Sequence, residues 1–163
     1  MITGKNDEEM FALMKEKPLV EINVKEICDR ALCSRNTFYA HFPYKEAVLD
    51  HLTEECVNGI VNSTRALVET LADVDEDVIT RYNRNIIRGA AESREKIAFL
   101  LQYGKPCSFA MRLSEAVYDG FLQNTLKAAP GISADARFSA YCRYLSGGTV
   151  NFIVHWIRHP EIP

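Results

Sequence analysis

The run from Val24 to Lys45, VKEICDRALCSRNTFYAHFPYK, constrains this chain most, because it reads as two short helices joined by a tight turn and followed at once by a third. Asn23 can accept hydrogen bonds from the free amides of the first helical turn, while Glu26, three residues on, can reach back to the Asn23 amide. Ser34 can cap the second helix in the same way. Val24, Ile27, Cys28 and Ala31 recur at helical spacing, as do Phe38 and Phe42 after the turn, so each helix has one apolar stripe and one free face. The free face of the second helix carries Arg35, Asn36, Thr37, Tyr39 and His41, side chains rich in donors that reach base edges and phosphates. This is the layout of a DNA-reading helix-turn-helix.

The stretch Ser34-Arg-Asn-Thr-Phe-Tyr-Ala-His-Phe-Pro-Tyr-Lys-Glu46 resembles the recognition-helix signature of tetracycline-repressor (TetR) type transcriptional regulators. The Phe-Tyr pair, the His-Phe pair and the Lys-Glu that opens the next helix fall in register, and Ile22 to Ala31 precedes them as the family's second helix would. The resemblance covers roughly residues 7 to 60; the remainder is similar only in being helical and of suitable length. Two positions depart from the pattern. Leu32 stands in the turn where Gly is usual, so a left-handed backbone there would be strained. Ala40 stands where a larger or polar residue is common.

The resemblance implies an all-α fold, with a three-helix helix-turn-helix head over residues 1–52 joined by a long helix to a ligand-binding and dimerisation bundle over 53–163. It implies a sequence-specific regulator, a repressor released by a small apolar inducer, acting as a homodimer on a palindromic operator in double-stranded DNA. Carried over position by position, it makes Arg35 and Asn36 the base-edge readers, Arg for guanine and Asn for adenine, with Ala40 against a thymine methyl. Thr37, Tyr39, His41 and Lys45 match phosphate-gripping positions, and Lys25 reaches the backbone or a base from the preceding helix. Phe38 and Phe42 read as core.

Charge argues in the other direction. The chain carries a net −3, and residues 1–50 hold seven basic side chains against nine acidic ones, a balance of −2. Nonspecific DNA affinity comes mainly from neutralising phosphates, so binding should be weak off-site and lean on a dimer. The acidic head and Leu32 keep an alternative in view, a TetR-like protein with degenerate DNA binding that acts as a ligand-binding or protein-interaction module.

The rest of the chain reads as helical. Asn6 with Glu9 resembles a capping pair opening a short first helix, whose Met10, Phe11, Leu13 and Met14 would cover the helix-turn-helix before Pro18 ends it. A longer helix is expected from Pro43, with Val48, Leu49, Leu52, Cys56, Ile60 and Val61 inward, bridging head to body. An acidic break at Asp73 to Asp77 opens a helix with Val78, Tyr82, Ile86 and Ile87 inward. Another runs from Ile97 to Tyr103, stopped by Gly104-Lys-Pro106. Two further helices match the elements that the family uses for dimerisation. The first is marked by Phe109, Leu113, Ala116, Val117, Gly120 and Phe121 and ends at Pro130-Gly131. The second has a stripe of Phe138, Tyr141, Cys142, Leu145, Gly148, Thr149, Phe152 and Trp156. Glycines inside a helix cost about 1 kcal/mol each relative to Ala, so Gly147-Gly148 suggests close approach of another helix, within the subunit or across a dimer. The dimer set is Phe121, Tyr141, Leu145, Gly148, Phe152 and Trp156. Tyr82, Phe99, Tyr103, Phe109, Met111, Phe121, Phe152 and Trp156 are large and soft enough to border an apolar ligand cavity, or simply to fill a core.

With 47% hydrophobic residues the chain can build a real core, yet no run is long enough to cross a membrane. The polar, acidic opening predicts no secretory leader, which makes the cytoplasm the expected compartment. Four scattered histidines and five cysteines without paired spacing predict no metal site, no cofactor and no catalytic constellation. Cys28 and Cys33 could form a redox switch, but Cys33 stands where a small apolar residue normally packs, which argues against one.

Overall fold

Helical periodicity runs through the whole sequence, and the computed structural model is correspondingly all-helical, with no strand among the described residues. Described are residues 2–63, 76–103, 106–128, 131, 135–159 and 161–162, with side chains except those of 2–7, 76–79, 103, 106–108, 124 and 128. The helices are α1 (Ile2–Glu16), α2 (Val24–Ala31), α3 (Arg35–His41), α4 (Ala47–Asn62), α5 (Glu76–Glu92), α6 (Arg94–Tyr103), α7 (Pro106–Ala128) and α8 (Ala136–Arg158), with a 3-10 turn at Leu19–Glu21. None of them is long and apolar enough to cross a membrane. The chain divides into two compact units, Met1–Glu54 and Glu55–Pro163, and the division falls inside α4.

The first unit has a core drawn from each of its α-helices: Met10, Leu13 and Met14 of α1, Ile27, Cys28 and Ala31 of α2, Phe38 of α3, and Val48 and Leu52 of α4 are all buried, with Ile22 after the 3-10 turn and Phe42 after α3. Each large apolar side chain taken out of water contributes about 1.5–3 kcal/mol, and this is the main term holding so small a unit together. Two ion pairs fasten α1 and its following residue to α2. The Arg30 guanidinium donates to both oxygens of Glu16, at 2.9 and 2.6 Å, and Lys17 donates to Glu26 at 2.7 Å. Arg30 thereby holds the Glu16 carboxyl below its usual range. Both pairs are solvated, so they orient the helices more than they stabilise them.

Helix starts differ from the sequence reading in three places. The first helix begins at Ile2 rather than at Asn6, and the side chain of Asn6 lies outside those described. The fourth helix begins at Ala47 rather than Pro43, preceded by tight turns in which Ala47, Val48 and Leu49 donate to the carbonyls three residues back. Pro106 opens α7 instead of only ending α6, since a proline's missing N–H costs nothing at a helix start. The acidic break at 73–75, Gly104 and Pro130 lie outside the described residues.

In the second unit α7 and α8 share the most extensive packing, α6 lies against both, and α5 touches α6 and α8. From α7 come Phe109, Leu113, Val117, Phe121 and Thr125 at four-residue intervals; from α8 come Cys142, Ser146, Val150, Ile153, Trp156 and Ile157. The buried Thr125 and Ser146 hydroxyls are satisfied within their own helices, Thr125 donating to Phe121 O at 2.9 Å and Ser146 to Arg143 O at 3.0 Å. Tyr118 and Ser139 share a 2.7 Å hydrogen bond across the α7–α8 pair, and the Arg143 guanidinium stacks 3.7 Å from the Tyr118 ring centre while donating to Glu115. Where α5 meets the end of α4, a Cβ on Gly89 would lie 2.9 Å from Ile60 Cα and 2.8 Å from Ser63 Oγ, so only glycine permits that approach.

Candidate nucleic-acid interface

The helix-turn-helix is assembled by three local devices. Asn23 Oδ1 accepts the Glu26 amide at 3.0 Å and Ser34 Oγ accepts the Thr37 amide at 3.0 Å, so both helices are capped as their sequences predict. The reciprocal half of the first cap is replaced, because the Glu26 carboxylate goes to Lys17. The third device is the turn. Leu32 is left-handed (φ 54°, ψ 44°), and the Cys33 amide donates to Cys28 O at 3.0 Å, a six-residue Schellman closure at the end of α2.

Leu32 is also 82% exposed, so its side chain gains little from the fold in return for its backbone strain. Left-handed geometry costs a residue with a Cβ about 1–2 kcal/mol, and the extra entropy that glycine loses on folding offsets about 0.5–1 kcal/mol of that. Leu32→Gly is therefore expected to stabilise the head, by about 0.5–1 kcal/mol net. Urea denaturation followed by circular dichroism checks this; a midpoint at or below that of the native chain would mean that the turn holds Leu without strain.

Burial of Phe38 fixes the orientation of α3 and leaves Arg35, Asn36, Tyr39, Ala40 and His41 exposed, with Arg35 above Tyr39 and Asn36 above Ala40 at one-turn spacing. Thr37 is half-buried and shares a 2.8 Å hydrogen bond with Ser34 through its hydroxyl. Lys25 is exposed on the first turn of α2. Lys25 and Arg35 enter no ion pair among the described residues, whereas Lys17 and Arg30 are committed to carboxylates.

Lys45 is placed differently from the others. Its ammonium donates to Leu19 O and Ile22 O, each at 2.8 Å, tying the residue before α4 to the 3-10 turn between α1 and α2. Two of its three donors are thus used within the unit, and one is left for a phosphate. Sequence reasoning also passes over Tyr44, 53% exposed between α3 and α4; an aromatic donor between Pro43 and Lys45 was the available signal.

Of the set named for a ligand cavity, Tyr82, Phe99, Phe109, Phe121 and Trp156 are buried, while Met111 is 63% and Phe152 49% exposed. The side chain of Tyr103 lies outside those described. Tyr82 and Phe121 meet edge to face at 5.6 Å and border a cavity of about 10 Å³, room for roughly one water molecule. A larger groove of about 350 Å³ lies between α5 and α8, lined by Asn83, Ile87, Tyr144, Leu145, Gly148, Thr149 and Phe152. Of the residues named for a dimer, Phe121 and Trp156 are inside the unit, Leu145 is half-buried, and Tyr141, Gly148 and Phe152 lie on the outer face of α8 with Tyr144. Among the described residues no atom of another element stands within 4 Å of a Cβ built at Gly147 or Gly148, so neither glycine serves close approach between the described helices of the subunit.

Two capped helices around a left-handed turn, the second presenting an outward row of donors, define the head as a helix-turn-helix. The chain is distantly similar, 38% identical over 74 residues, to the HTH-type transcriptional regulator EthR of Mycobacterium tuberculosis, a TetR-family protein and not an enzyme. The protein of the same name from Mycobacterium bovis matches with the same identity and length. The match spans 45% of this chain and 34% of each relative, so the chain covers about a third of the length of these curated relatives. No family model and no solved structure matches it.

Proposed function

We propose that this chain is a sequence-specific, DNA-binding transcriptional regulator that acts as a homodimer on a palindromic operator. The observation that carries the reading is the exposed row Arg35, Asn36, Tyr39, Ala40 and His41 on a helix whose opposite side is anchored by Phe38. Arg35 reads guanine, Asn36 reads adenine and Ala40 meets a thymine methyl; Lys25, Thr37, Tyr39, His41 and the remaining donor of Lys45 hold phosphates. The two heads of a dimer must meet successive major grooves, with half-sites about 34–36 Å apart or a multiple of one helical turn. With Lys17 and Arg30 neutralised, little charge is left for indiscriminate binding, and affinity rests on the cognate contacts and on two heads binding together.

Repression relieved by a small apolar inducer is the finer part of this reading. The groove beside Gly148, about 350 Å³, falls within the range of small-molecule sites, and because Tyr144, Gly148 and Phe152 on its wall also belong to the outer row of α8 through which two copies would meet, a ligand there would sit at the edge of that interface. Such a ligand acts only if it binds one arrangement of the heads better than the other.

The test is selection from random DNA at low salt, followed by fluorescence anisotropy on the enriched site. Arg35→Ala should cost about 1–3 kcal/mol and relax the preference at one base pair per half-site, because a bidentate contact is lost. If no site is enriched, or if Arg35→Ala leaves affinity unchanged, the degenerate module that the acidic head suggests replaces the regulator.

A further inference from the structure

The Schellman closure brings together the side chains of its first and last residues, a contact that is ordinarily hydrophobic. Here those residues are Cys28 and Cys33, joined through the 3.0 Å bond from the Cys33 amide to Cys28 O. Neither is engaged in a disulfide, and the closure sets their Cβ atoms on the same side of the turn. The two sulfurs are unequal: Cys28 is 3% exposed, whereas Cys33 is half-buried, between Leu32 and the capping residue Ser34 of the recognition helix. A reachable thiol beside a shielded one is the arrangement of an oxidisable cysteine with its resolving partner.

We propose that Cys28 and Cys33 form a dithiol modification site that a hydroperoxide closes to an intramolecular disulfide within the turn of the helix-turn-helix. In the first step the Cys33 sulfur attacks the outer peroxide oxygen. The O–O bond breaks, the alkoxide or hydroxide released takes the thiol proton, and Cys33 becomes a sulfenic acid. In the second step the Cys28 sulfur attacks the Cys33 sulfur; the S–S bond forms, the S–O bond breaks, and the hydroxyl leaves as water with the Cys28 proton. Two thiols lose two electrons and two protons, and the hydroperoxide is reduced to an alcohol, or water, plus one water. Burial, with Cys33 beside it, pushes the Cys28 thiol up to about 11, so Cys28 is not the thiol that meets the peroxide first, and it gives up its proton only as it attacks the Cys33 sulfenic acid.

A disulfide demands its own Cβ separation and torsion, and Cys33 leads directly into the cap of α3, so closure resets the start of the recognition helix. The consequence for operator binding rests on the regulator reading; the disulfide itself does not. The experiment treats the reduced full-length chain with hydrogen peroxide and reads intact mass and a peptide map. The expected result is a loss of two hydrogens, a Cys28–Cys33 linked peptide, reversal by dithiothreitol, and no such link in Cys28→Ser or Cys33→Ser. Sulfinic or sulfonic acid at Cys33, a link to another cysteine, or unreacted thiols would overturn the proposal. Anisotropy on the selected operator is then expected to show at least about tenfold weaker binding after oxidation, with Cys33→Ser insensitive. A linked chain that binds as tightly as the reduced one would overturn the control of binding, whereas a reduced chain that binds no DNA would count against the regulator reading and leave the disulfide standing.

Discussion

Phe38→Ala is expected to cost the head about 3–5 kcal/mol and to abolish DNA binding with it. Phe38 has no exposed surface, and its ring meets Tyr39 at 5.6 Å and Phe42 at 5.3 Å, so truncation opens a cavity under the recognition helix. Whole small domains are stable by only about 5–15 kcal/mol, so the loss is a large share of what holds this unit together. A domain of this size melts about 4–8 °C lower per kcal/mol. The transition of the head, followed by circular dichroism on the full chain, should therefore fall by more than about 12 °C. Tyr39→Ala is the contrast: 53% exposed, it should leave the melting temperature almost unchanged and weaken binding to all sequences alike, as the loss of a phosphate contact does. A Phe38→Ala chain that melts with the native one yet no longer binds DNA would make Phe38 a contact residue instead of an anchor.

What the sequence made legible is what short-range chemistry determines. The caps at Asn23 and Ser34 join residues three apart, and the apolar stripes of α2 and α3 follow from periodicity alone. The left-handed turn could be read because a TetR-like pattern places Gly where Leu32 stands, and Leu32 is left-handed. Interactions between distant parts of the chain were not legible. The carbonyl partners of Lys45 lie 26 and 23 residues away, so nothing local marks it as a fastener. Helix α8 carries two apolar rows, and periodicity does not say which of them its own core takes. Ser146 disguises the buried row Cys142, Ser146, Val150, Ile153 and Ile157, and the more conspicuous aromatics Tyr141, Tyr144 and Phe152 turn outward. Glycine misleads in the same way. The pair Gly147-Gly148 draws the eye, while the close helix approach inside the subunit occurs at the isolated Gly89. The sequence shows Cys28 and Cys33 as a candidate pair but reads Cys33 as a packed residue; the five-residue spacing gains its meaning only once the Schellman closure brings the two ends of the turn together, with Cys33 half-buried.

The outer row of α8 leads to the other large effect: Gly148→Trp and Phe152→Asp are each expected to turn the proposed homodimer into a folded monomer. Three aromatics left 49–76% exposed along one helix are more apolar surface than an isolated subunit gains from, and a second copy is the occupant that we propose. With nothing among the described residues within 4 Å of a Cβ at Gly148, a bulky residue there meets no obstacle in the described helices of its own subunit and removes a poor helix former. Its obstruction falls on a neighbour. A two-fold interface meets each substitution twice, and an aspartate at 152 would bury two unpaired charges. A penalty of about 3 kcal/mol or more weakens association upwards of about 100-fold. Sedimentation velocity at micromolar concentration should then show monomer for both variants, with melting temperatures near that of the native chain, and operator affinity should fall because two heads no longer bind together. Variants that still sediment as the native dimer would place the interface on another face, whereas variants that unfold would show that the outer row supports its own subunit.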